Sequence, residues 1–195
     1  YKYNVKYEFK NEQLIKKAFT HSSYAYERKD KLESNERLEF LGDAVLELIS
    51  SEYIFQHCPN LSEGEMTKVR AGVVCEKTLY KIAIENRFND FLKVGKCEKN
   101  GRKSKSMLAD CVEAIIGAIY LDGGYVAARE YILRYLPKYV VEYVNGLGVK
   151  DYKTTLQEEL QKSPNCKIEY VVEKETGPEH DKMFFVNVLI NNVLL

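Results

Sequence analysis

The sequence predicts a mainly α-helical protein in two parts, an all-helical domain followed by a smaller domain of one helix and β-strands. From about residue 11 to residue 147, apolar residues recur almost throughout at helical spacing. After Gly146 and Gly148 come one more helical pattern and two runs rich in β-branched and aromatic residues. This change predicts a domain boundary near residue 148, with domains at 1–147 and 151–195.

The first helices are predicted from their start and stop residues. Residues 11–21 predict a short helix, and residues 36–57 predict a long one that ends before Pro59 because proline cannot continue it. Ser62 and Glu65 have capping-box spacing, in which each side chain satisfies a free backbone N–H of the other residue. A third helix is therefore expected to begin at this point.

The rest of the first domain is predicted to be helical as well. Gly123 and Gly124 should stop a strongly apolar helix, because glycine commonly follows a helix end. Residues 125–144 predict either an amphipathic helix pair or one helix kinked at Pro137. The intervening elements are a helix at 76–87, a loop at 88–95 and the apolar helix at 106–121.

The second domain is predicted to contain a helix and a hairpin. Residues 152–162 have helical spacing, whereas residues 166–175 and 182–190 have strand composition and flank a turn at Thr176-Gly177-Pro178. One helix and two strands bury too little surface to be stable alone. The final residues, NNVLL, are expected to begin a third strand.

Composition limits the class of protein. The 45% hydrophobic and 30% charged content are typical of soluble globular proteins, and no apolar run reaches the roughly 18 to 20 residues needed to span a bilayer. The five cysteines are far apart and form no C-x-x-C pair, which favours reduced packing residues over disulfides or a zinc site. We expect a cytoplasmic protein without a membrane partner.

The net charge of zero argues weakly against a nucleic-acid partner, but the charges are unevenly distributed. Residues 151–195 hold five lysines and eight acids, a net charge of −3, which leaves +3 for residues 1–150. A basic cluster forms either a solvated loop or a phosphate-binding surface. Its members are Lys93, Lys96, Lys99, Arg102, Lys103 and Lys105.

Two acids interrupt the apolar pattern of the long helix. Glu39 and Asp43 are four residues apart and so lie on nearly the same face, with Glu36 one turn earlier. Their neighbours Leu38, Leu41, Val45 and Leu48 repeat at core spacing, so we expect the acidic edge to border the buried face.

A second acid pair, Asp110 and Glu113, provides the only charges of residues 107–121. An unpaired buried carboxylate costs several kcal/mol, so such acids need cations, protons or a metal. Two helices that each carry an acid pair suggest one shared site, and four carboxylates suit a hard cation such as Mg²⁺. A buried salt-bridge cluster with Arg37, Lys68 or Arg70 is the structural alternative, and a pair of glycosidase carboxylates is another.

An Mg²⁺ site of this kind suits phosphodiester hydrolysis, because the metal can activate water and neutralise charge on a phosphate. The sequence has no P-loop, H-E-x-x-H motif or nucleophile elbow that would indicate other chemistry. His21, His57 and His180 are scattered, and we expect them to be structural or on the surface.

Four segments together resemble the ribonuclease III family. NERLEFLGDAVLEL at 35–48 resembles its signature, and LADCVEAIIGAIYLDGG at 108–124 resembles its second acidic motif. HSSYAYE upstream and LSEGEMTKVRAGVV between them fit in order and spacing. The tail, DYKTTLQEELQ with TGPEHDKMFFVNV, resembles the first two-thirds of a double-stranded RNA-binding domain. The implied fold is an all-helical ribonuclease III catalytic domain followed by a partial α-β-β(-β-α) RNA-binding domain.

The resemblance implies an Mg²⁺-dependent endonuclease, with Mn²⁺ as a substitute cation, that cuts double-stranded RNA and leaves 5′-phosphate and 3′-hydroxyl ends. Ribosomal RNA precursors and other structured RNAs are the substrates expected from the family. The implied metal ligands are Glu39, Asp43, Asp110 and Glu113, with Asp43 and Glu113 acting most directly on the metal and the attacking water. Glu36 and Glu63 match two supporting acids of the catalytic valley.

The resemblance also implies partners. Phe40 matches an aromatic knob that inserts into the second subunit of a homodimer, although ordinary core packing is the alternative for this residue. The positions that match RNA contacts in the tail are Thr154, Gln157, Glu158, Gln161, Pro178 and His180. The final helix of the RNA-binding domain is absent from the sequence, so we expect weaker RNA binding than in an intact protein.

Two other classes of function remain possible at this stage. A non-catalytic RNA-binding relative would keep the fold for assembly, but such relatives are expected to have lost acids, and all four are present. A purely structural dimerisation module would leave the charge cost of Asp110 and Glu113 unexplained.

Overall fold

A computed structural model of the chain describes residues 2–28, 32–96, 103–146, 168–176, 183–191 and 193–194. Its backbone divides into two compact units, Tyr1–Asn145 and Gly146–Leu195.

Seven α-helices are described in the first unit. They are α1 (Glu12–Ala18), α2 (Ser22–Glu27), α3 (Glu36–His57), α4 (Glu63–Val73), α5 (Glu76–Glu85), α6 (Lys105–Ile132) and α7 (Leu136–Gly146). The bounds predicted for α3 are confirmed, and α4 begins with the predicted capping box of Ser62 and Glu65. Helix α2 was not predicted as a separate element, because six residues are too few to show a helical period.

Helix α6 is the centre of the core. It packs along α3 and also contacts α5 and α1, and it buries most of its residues between Leu108 and Ile119. Its length and hydropathy would suffice to cross a membrane, but half of its most apolar stretch is buried inside the domain. The apolar character of α6 is therefore that of a core helix.

The predicted break after residue 121 is present at Gly124, whose φ of 76° and ψ of −171° interrupt the helical geometry of α6. Glycine adopts this positive φ without steric cost. Past the break the chain forms a helix pair, because residues 133–135 make a turn and Pro137 lies in the first turn of α7, where its missing N–H is tolerated.

Asp122 fixes the N-terminal segment against α6. Its carboxylate accepts hydrogen bonds from the Tyr7 hydroxyl at 2.9 Å and from the backbone N–H groups of Lys10 and Asn11 at 2.8 and 2.9 Å. Asn11 in turn caps α1 through the backbone N–H of Gln13. The side chain that ends the regular part of α6 thus positions the start of α1.

The second unit contains the predicted hairpin. Strands β1 (Ile168–Thr176) and β2 (Met183–Ile190) pair antiparallel, with a register shift between Val172 and Lys174. A short third strand, β3 (Val193–Leu194), pairs antiparallel with β2 and continues the sheet in the order β1-β2-β3. The helix predicted at 152–162 lies outside the described residues.

One core assignment was wrong. Leu48 is 59% exposed, whereas Leu38 and Val45 are buried as expected. Leu48 lies on the same side of α3 as two other exposed apolar residues, Phe40 and Phe55. Helical spacing identifies an apolar face but does not show whether that face packs inside the domain.

Candidate functional site

Three of the predicted acids come together where α3 meets α6. Carboxylate oxygens of Glu39 on α3 and of Asp110 and Glu113 on α6 all lie within 4.8 Å of one another. All three side chains are of intermediate burial. The predicted sharing of one site by the two helices is thus present in the geometry.

The two helices approach closely because glycine stands at their contact. A Cβ atom added at Gly42 would lie only 1.8 Å from the backbone oxygen of Glu113. Any larger residue would push α3 away from α6 at the level of the acids. Gly42 therefore permits the close approach of the two helices.

Burial and like charges disfavour ionisation of the three carboxyls. Burial, followed by the charges of Asp43, Asp110 and Glu39, raises the pKa of Glu113 to about 8. Burial also raises the pKa of Glu39, and the charges of Asp110, Glu36 and Asp43 add to this effect. A bound cation would oppose both effects by favouring the charged carboxylates.

Burial is also the main reason why the pKa of the Asp110 carboxyl is raised. The nearby His21 acts in the opposite direction and lowers this pKa. The Nδ1 atom of His21 accepts the backbone N–H of Ser23 at 3.2 Å and caps α2. His21 is thus structural, as expected from the sequence, but it is also close enough to act electrostatically on the site.

The salt-bridge alternative finds no support among the described residues. Arg70 pairs with Glu47 at 2.8 Å and donates to Ser51 at 3.0 Å, and none of the ion pairs between described side chains involves the three acids. Three oxygen donors from two helices, which form no ion pair with a described side chain, match the ligand preference of a hard divalent cation.

Asp43 lies one turn after Glu39 and is exposed, outside the set of three converging carboxylates. Its charge nevertheless contributes to the raised pKa of both Glu39 and Glu113. Asp43 is thus placed at the open edge of the site.

The two predicted supporting acids are both exposed. Glu36 accepts a hydrogen bond from the Ser34 hydroxyl at 3.0 Å and contributes to the raised pKa of Glu39. Glu63 opens α4, accepts a hydrogen bond from Thr67 at 3.2 Å and lines a groove beside α3 rather than joining the converging acids.

Phe40 is 81% exposed, so the core alternative for this residue is wrong. Leu48 and Phe55 are 59% and 72% exposed, and the three side chains form an apolar stripe along one side of α3. An open groove of about 430 Å³ lies beside the stripe, with Leu48, Phe55 and Met66 among its lining residues. Exposed apolar side chains along one side of a helix, next to an open groove, are typical of a contact with another protein surface.

The predicted RNA-contacting residues of the tail lie outside the described residues. They are Thr154, Gln157, Glu158, Gln161, Pro178 and His180. Lys99 and Arg102 of the basic cluster are also outside them, whereas Lys93, Lys96 and Lys105 are described and exposed.

Sequence reasoning missed Gly117, which is buried one turn after Glu113 and contacts the backbone of α3. Its signal in the sequence was a glycine inside a strongly apolar helix, where alanine would have been the better helix former. Glycine at such a position usually has a packing reason.

Comparison with known proteins gives matches along most of the chain. A family profile described as Ribonuclease-III-like matches residues 11–139. The chain is 45% identical over 193 residues to "Ribonuclease 3" of Caldanaerobacter subterraneus subsp. tengcongensis, which covers 98% of this chain and 85% of the relative.

Solved structures of ribonuclease III and of a Dicer also match the chain. The chain resembles the ribonuclease III nuclease domain of Campylobacter jejuni, with a TM-score of 0.63 and 43% identity over 69% of this chain and 92% of that one. The structure of that domain is described as flexible in a region involved in dimer formation. Dicer from Pichia stipitis matches with a TM-score of 0.54 and 28% identity, covering 96% of this chain and 84% of that one.

Proposed function

The chain belongs to the ribonuclease III family, and on this basis we propose that it is a metal-dependent endoribonuclease that hydrolyses phosphodiester bonds in double-stranded RNA. The observation that carries the proposal is the convergence of Glu39, Asp110 and Glu113 without a cationic side chain among the described residues. A non-catalytic relative would gain nothing from keeping three half-buried carboxylates whose ionisation the fold disfavours.

The donor set fits Mg²⁺, with Mn²⁺ as the expected substitute, because both cations prefer oxygen ligands. Glu39, Asp110 and Glu113 would hold the cation, and Asp43 at the open edge would complete its coordination. When bound, the cation lowers the pKa of water and neutralises charge on the phosphate.

The side chains have distinct roles in the proposed reaction. Asp43 and Glu113 orient the water that attacks phosphorus, while Glu36 and Glu63 add negative charge around the site. The new bond joins the water oxygen to phosphorus, and the bond from phosphorus to the 3′ oxygen breaks. The products are then a 5′-phosphate and a 3′-hydroxyl that takes up a proton.

We further propose a homodimer formed through the apolar stripe of Phe40, Leu48 and Phe55. Leu48 lies eight residues after Phe40 and seven before Phe55, so the two aromatic side chains are nearly equidistant from it along α3, at about 12 and 10 Å. A two-fold axis near Leu48 would pair α3 with an antiparallel copy and place Phe40 against the groove that Phe55 and Met66 line on the second subunit.

A two-fold dimer suits a duplex substrate, because two symmetry-related sites can each address one of two antiparallel strands. The tail residues and the basic cluster are proposed to contact the RNA backbone, which proteins recognise largely by shape. Precursors of ribosomal RNA and other structured RNAs remain the predicted substrates, and the cytoplasm remains the predicted location.

The direct test is incubation of the protein with a long RNA duplex in Mg²⁺ or in EDTA. We expect shortening of the duplex only with Mg²⁺, and ligation-dependent sequencing should detect 5′-phosphate ends. RNA binding without cleavage at any Mg²⁺ concentration would favour the non-catalytic alternative.

A variant separates binding from cleavage. Glu113→Gln keeps the size of the side chain but removes a metal ligand, so it should abolish cleavage and leave duplex binding in Ca²⁺ unchanged. Glu85→Gln is the matched control, because Glu85 is bonded to Lys138 and Tyr139 and belongs neither to the converging acids nor to the groove. Retained turnover in Glu113→Gln would show that the central ligand is wrongly assigned.

A further inference from the structure

We propose that Gly117 is a positioning residue that sets the cation affinity of the acidic site by fixing the separation of α3 and α6. This inference rests on the proposed function, because it assumes that Glu39, Asp110 and Glu113 share a cation. Gly117 itself has no side chain with which to touch a ligand or an RNA strand.

The contact at Gly117 is made with backbone rather than with side chains. A Cβ atom at this position would lie 2.2 Å from the backbone oxygen of Leu38 and 3.1 Å from the backbone nitrogen of Gly42. Leu38 immediately precedes Glu39, and a Cβ at Gly42 would meet the backbone oxygen of Glu113. The two glycines therefore form a reciprocal contact made by the backbone that carries the acids.

Backbone atoms of two regular helices cannot rotate out of the way as a side chain can. Real Cβ atoms are essentially never found closer than 3.0 Å to such neighbours, and ordinary contact begins at 3.4 Å. A methyl group at residue 117 would therefore have to drive α3 and α6 apart by about 1 Å, a displacement large enough to disrupt a functional site.

The acidic site has little room for such a displacement. The three carboxylates lie within 4.8 Å of one another. Two oxygen ligands of one Mg²⁺ ion, with bonds of about 2.1 Å, can be no more than about 4.2 Å apart. At the present spacing of the helices, rotation of the side chains can bring the oxygen atoms within this limit. A wider spacing would move Glu39 out of reach of the cation that Asp110 and Glu113 bind.

Packing alone does not explain why a close helix approach occurs at this level. Close approach here brings like charges together, and the charges of Asp110 and Glu39 each contribute to the raised pKa of Glu113. A contact selected only for stability would place the glycines away from the acids, where the same approach carries no electrostatic cost.

The test compares Gly117→Ala with Gly72→Ala in the full chain. Gly72 on α4 is the control, because a Cβ there would lie 1.9 Å from the ring of Tyr143, a side chain that can rotate, and not from the backbone that carries the acids. Both variants add one methyl group to a close contact. The affinity for Mn²⁺ is measured by isothermal titration calorimetry without RNA, under conditions where circular dichroism shows each protein to be folded.

We expect Gly117→Ala to bind Mn²⁺ about ten- to a hundredfold more weakly than wild type, as when residues that support metal ligands are lost. Gly72→Ala should bind within about twofold of wild type, since the atoms nearest to its methyl group belong to Tyr143 and not to the contact partners of Gly117. The Mg²⁺ concentration for half-maximal RNA cleavage should rise in Gly117→Ala by the same factor as the Mn²⁺ dissociation constant.

Equal Mn²⁺ affinity in Gly117→Ala and wild type would overturn the proposal, and so would equal losses in the two variants. If Gly117→Ala is unfolded in buffer, the titration is repeated on all three proteins in trimethylamine N-oxide, which favours compact states, and the same outcomes decide. Wild type that neither binds Mn²⁺ nor cleaves RNA would instead refute the proposed function.

Discussion

Replacing Glu113 by glutamine should stabilise the cation-free protein at alkaline pH, even though it should abolish catalysis. The pKa of this carboxyl is raised from 4.5 to about 8, chiefly by burial and then by the charges of Asp43 and Asp110. The folded state therefore binds the Glu113 proton more tightly than the unfolded state does. Glutamine keeps the shape of the protonated side chain and cannot become charged.

The direction and the size of the change in stability follow from this difference in pKa. The contribution of Glu113 to stability is fully present below pH 4.5 and is lost as the pH rises through about 8. Without solvent screening the difference would correspond to about 5 kcal/mol. Because the side chain is only partly buried, we discount this to about 2 kcal/mol of extra stability for Glu113→Gln at pH 9.

Urea unfolding in EDTA at pH 5 and pH 9 measures the effect. Wild type should lose stability between the two values, and Glu113→Gln should lose less. Glu52→Gln should instead be less stable than wild type at pH 9. Hydrogen bonds from Tyr125 and then Arg129 lower the pKa of Glu52 and so favour the charged form that glutamine cannot adopt. Mg²⁺ should restore the stability of wild type at pH 9 but have little effect on Glu113→Gln.

A Glu113→Gln variant that is no more stable than wild type at pH 9 in EDTA would refute this reasoning. That result would mean that the carboxylate is solvated or has found a cationic partner, and the electrostatic basis of the site would then be wrong. A stabilising effect of the same size at pH 5 would point instead to better packing by glutamine.

Three other predictions concern the dimer and the scaffold. If the proposed homodimer forms, Leu48→Glu should convert it to a monomer in light scattering after size exclusion, and an unchanged mass would exclude the stripe as the interface. Asp122→Asn should lower the free energy of unfolding by about 1 to 2 kcal/mol, because the N–H groups of Lys10 and Asn11 lose a charged acceptor. Ser62→Ala should cost about 1 kcal/mol through loss of the α4 cap, and no change in the urea midpoint would count against that role.

Much of the helical domain could be predicted because the residues that start and stop its helices act locally. The bounds of α3, the cap of α4 and the break at Gly124 depend on proline, serine and glycine at positions where backbone chemistry leaves few options. Helix α2 could not be predicted in this way, because six residues are too few to show a helical period. A contact distant in sequence, in which the backbone N–H of His21 donates to the carbonyl of Lys93, also holds its start.

The acids of the site could be predicted, but their exact arrangement could not. Carboxylates in apolar helices are costly, and this cost identifies Glu39, Asp43, Asp110 and Glu113 as candidates from sequence, of which three converge in the structure. The position of Asp43 at the edge depends on the crossing of α3 over α6, which is set by the contact between Gly42 and Gly117. One-dimensional spacing contains no information on that crossing.

The two features that fit an isolated domain least well have a common explanation. The apolar stripe of Phe40, Leu48 and Phe55 faces outward, whereas Glu39, Asp110 and Glu113 lie half-buried among like charges. Both arrangements lower the stability of the isolated chain, and both would be relieved by the proposed partners, a second copy for the stripe and a cation for the acids. Because both partners bind only the folded state, each should raise the free energy of unfolding, and the two increments should depend separately on protein concentration and on cation concentration.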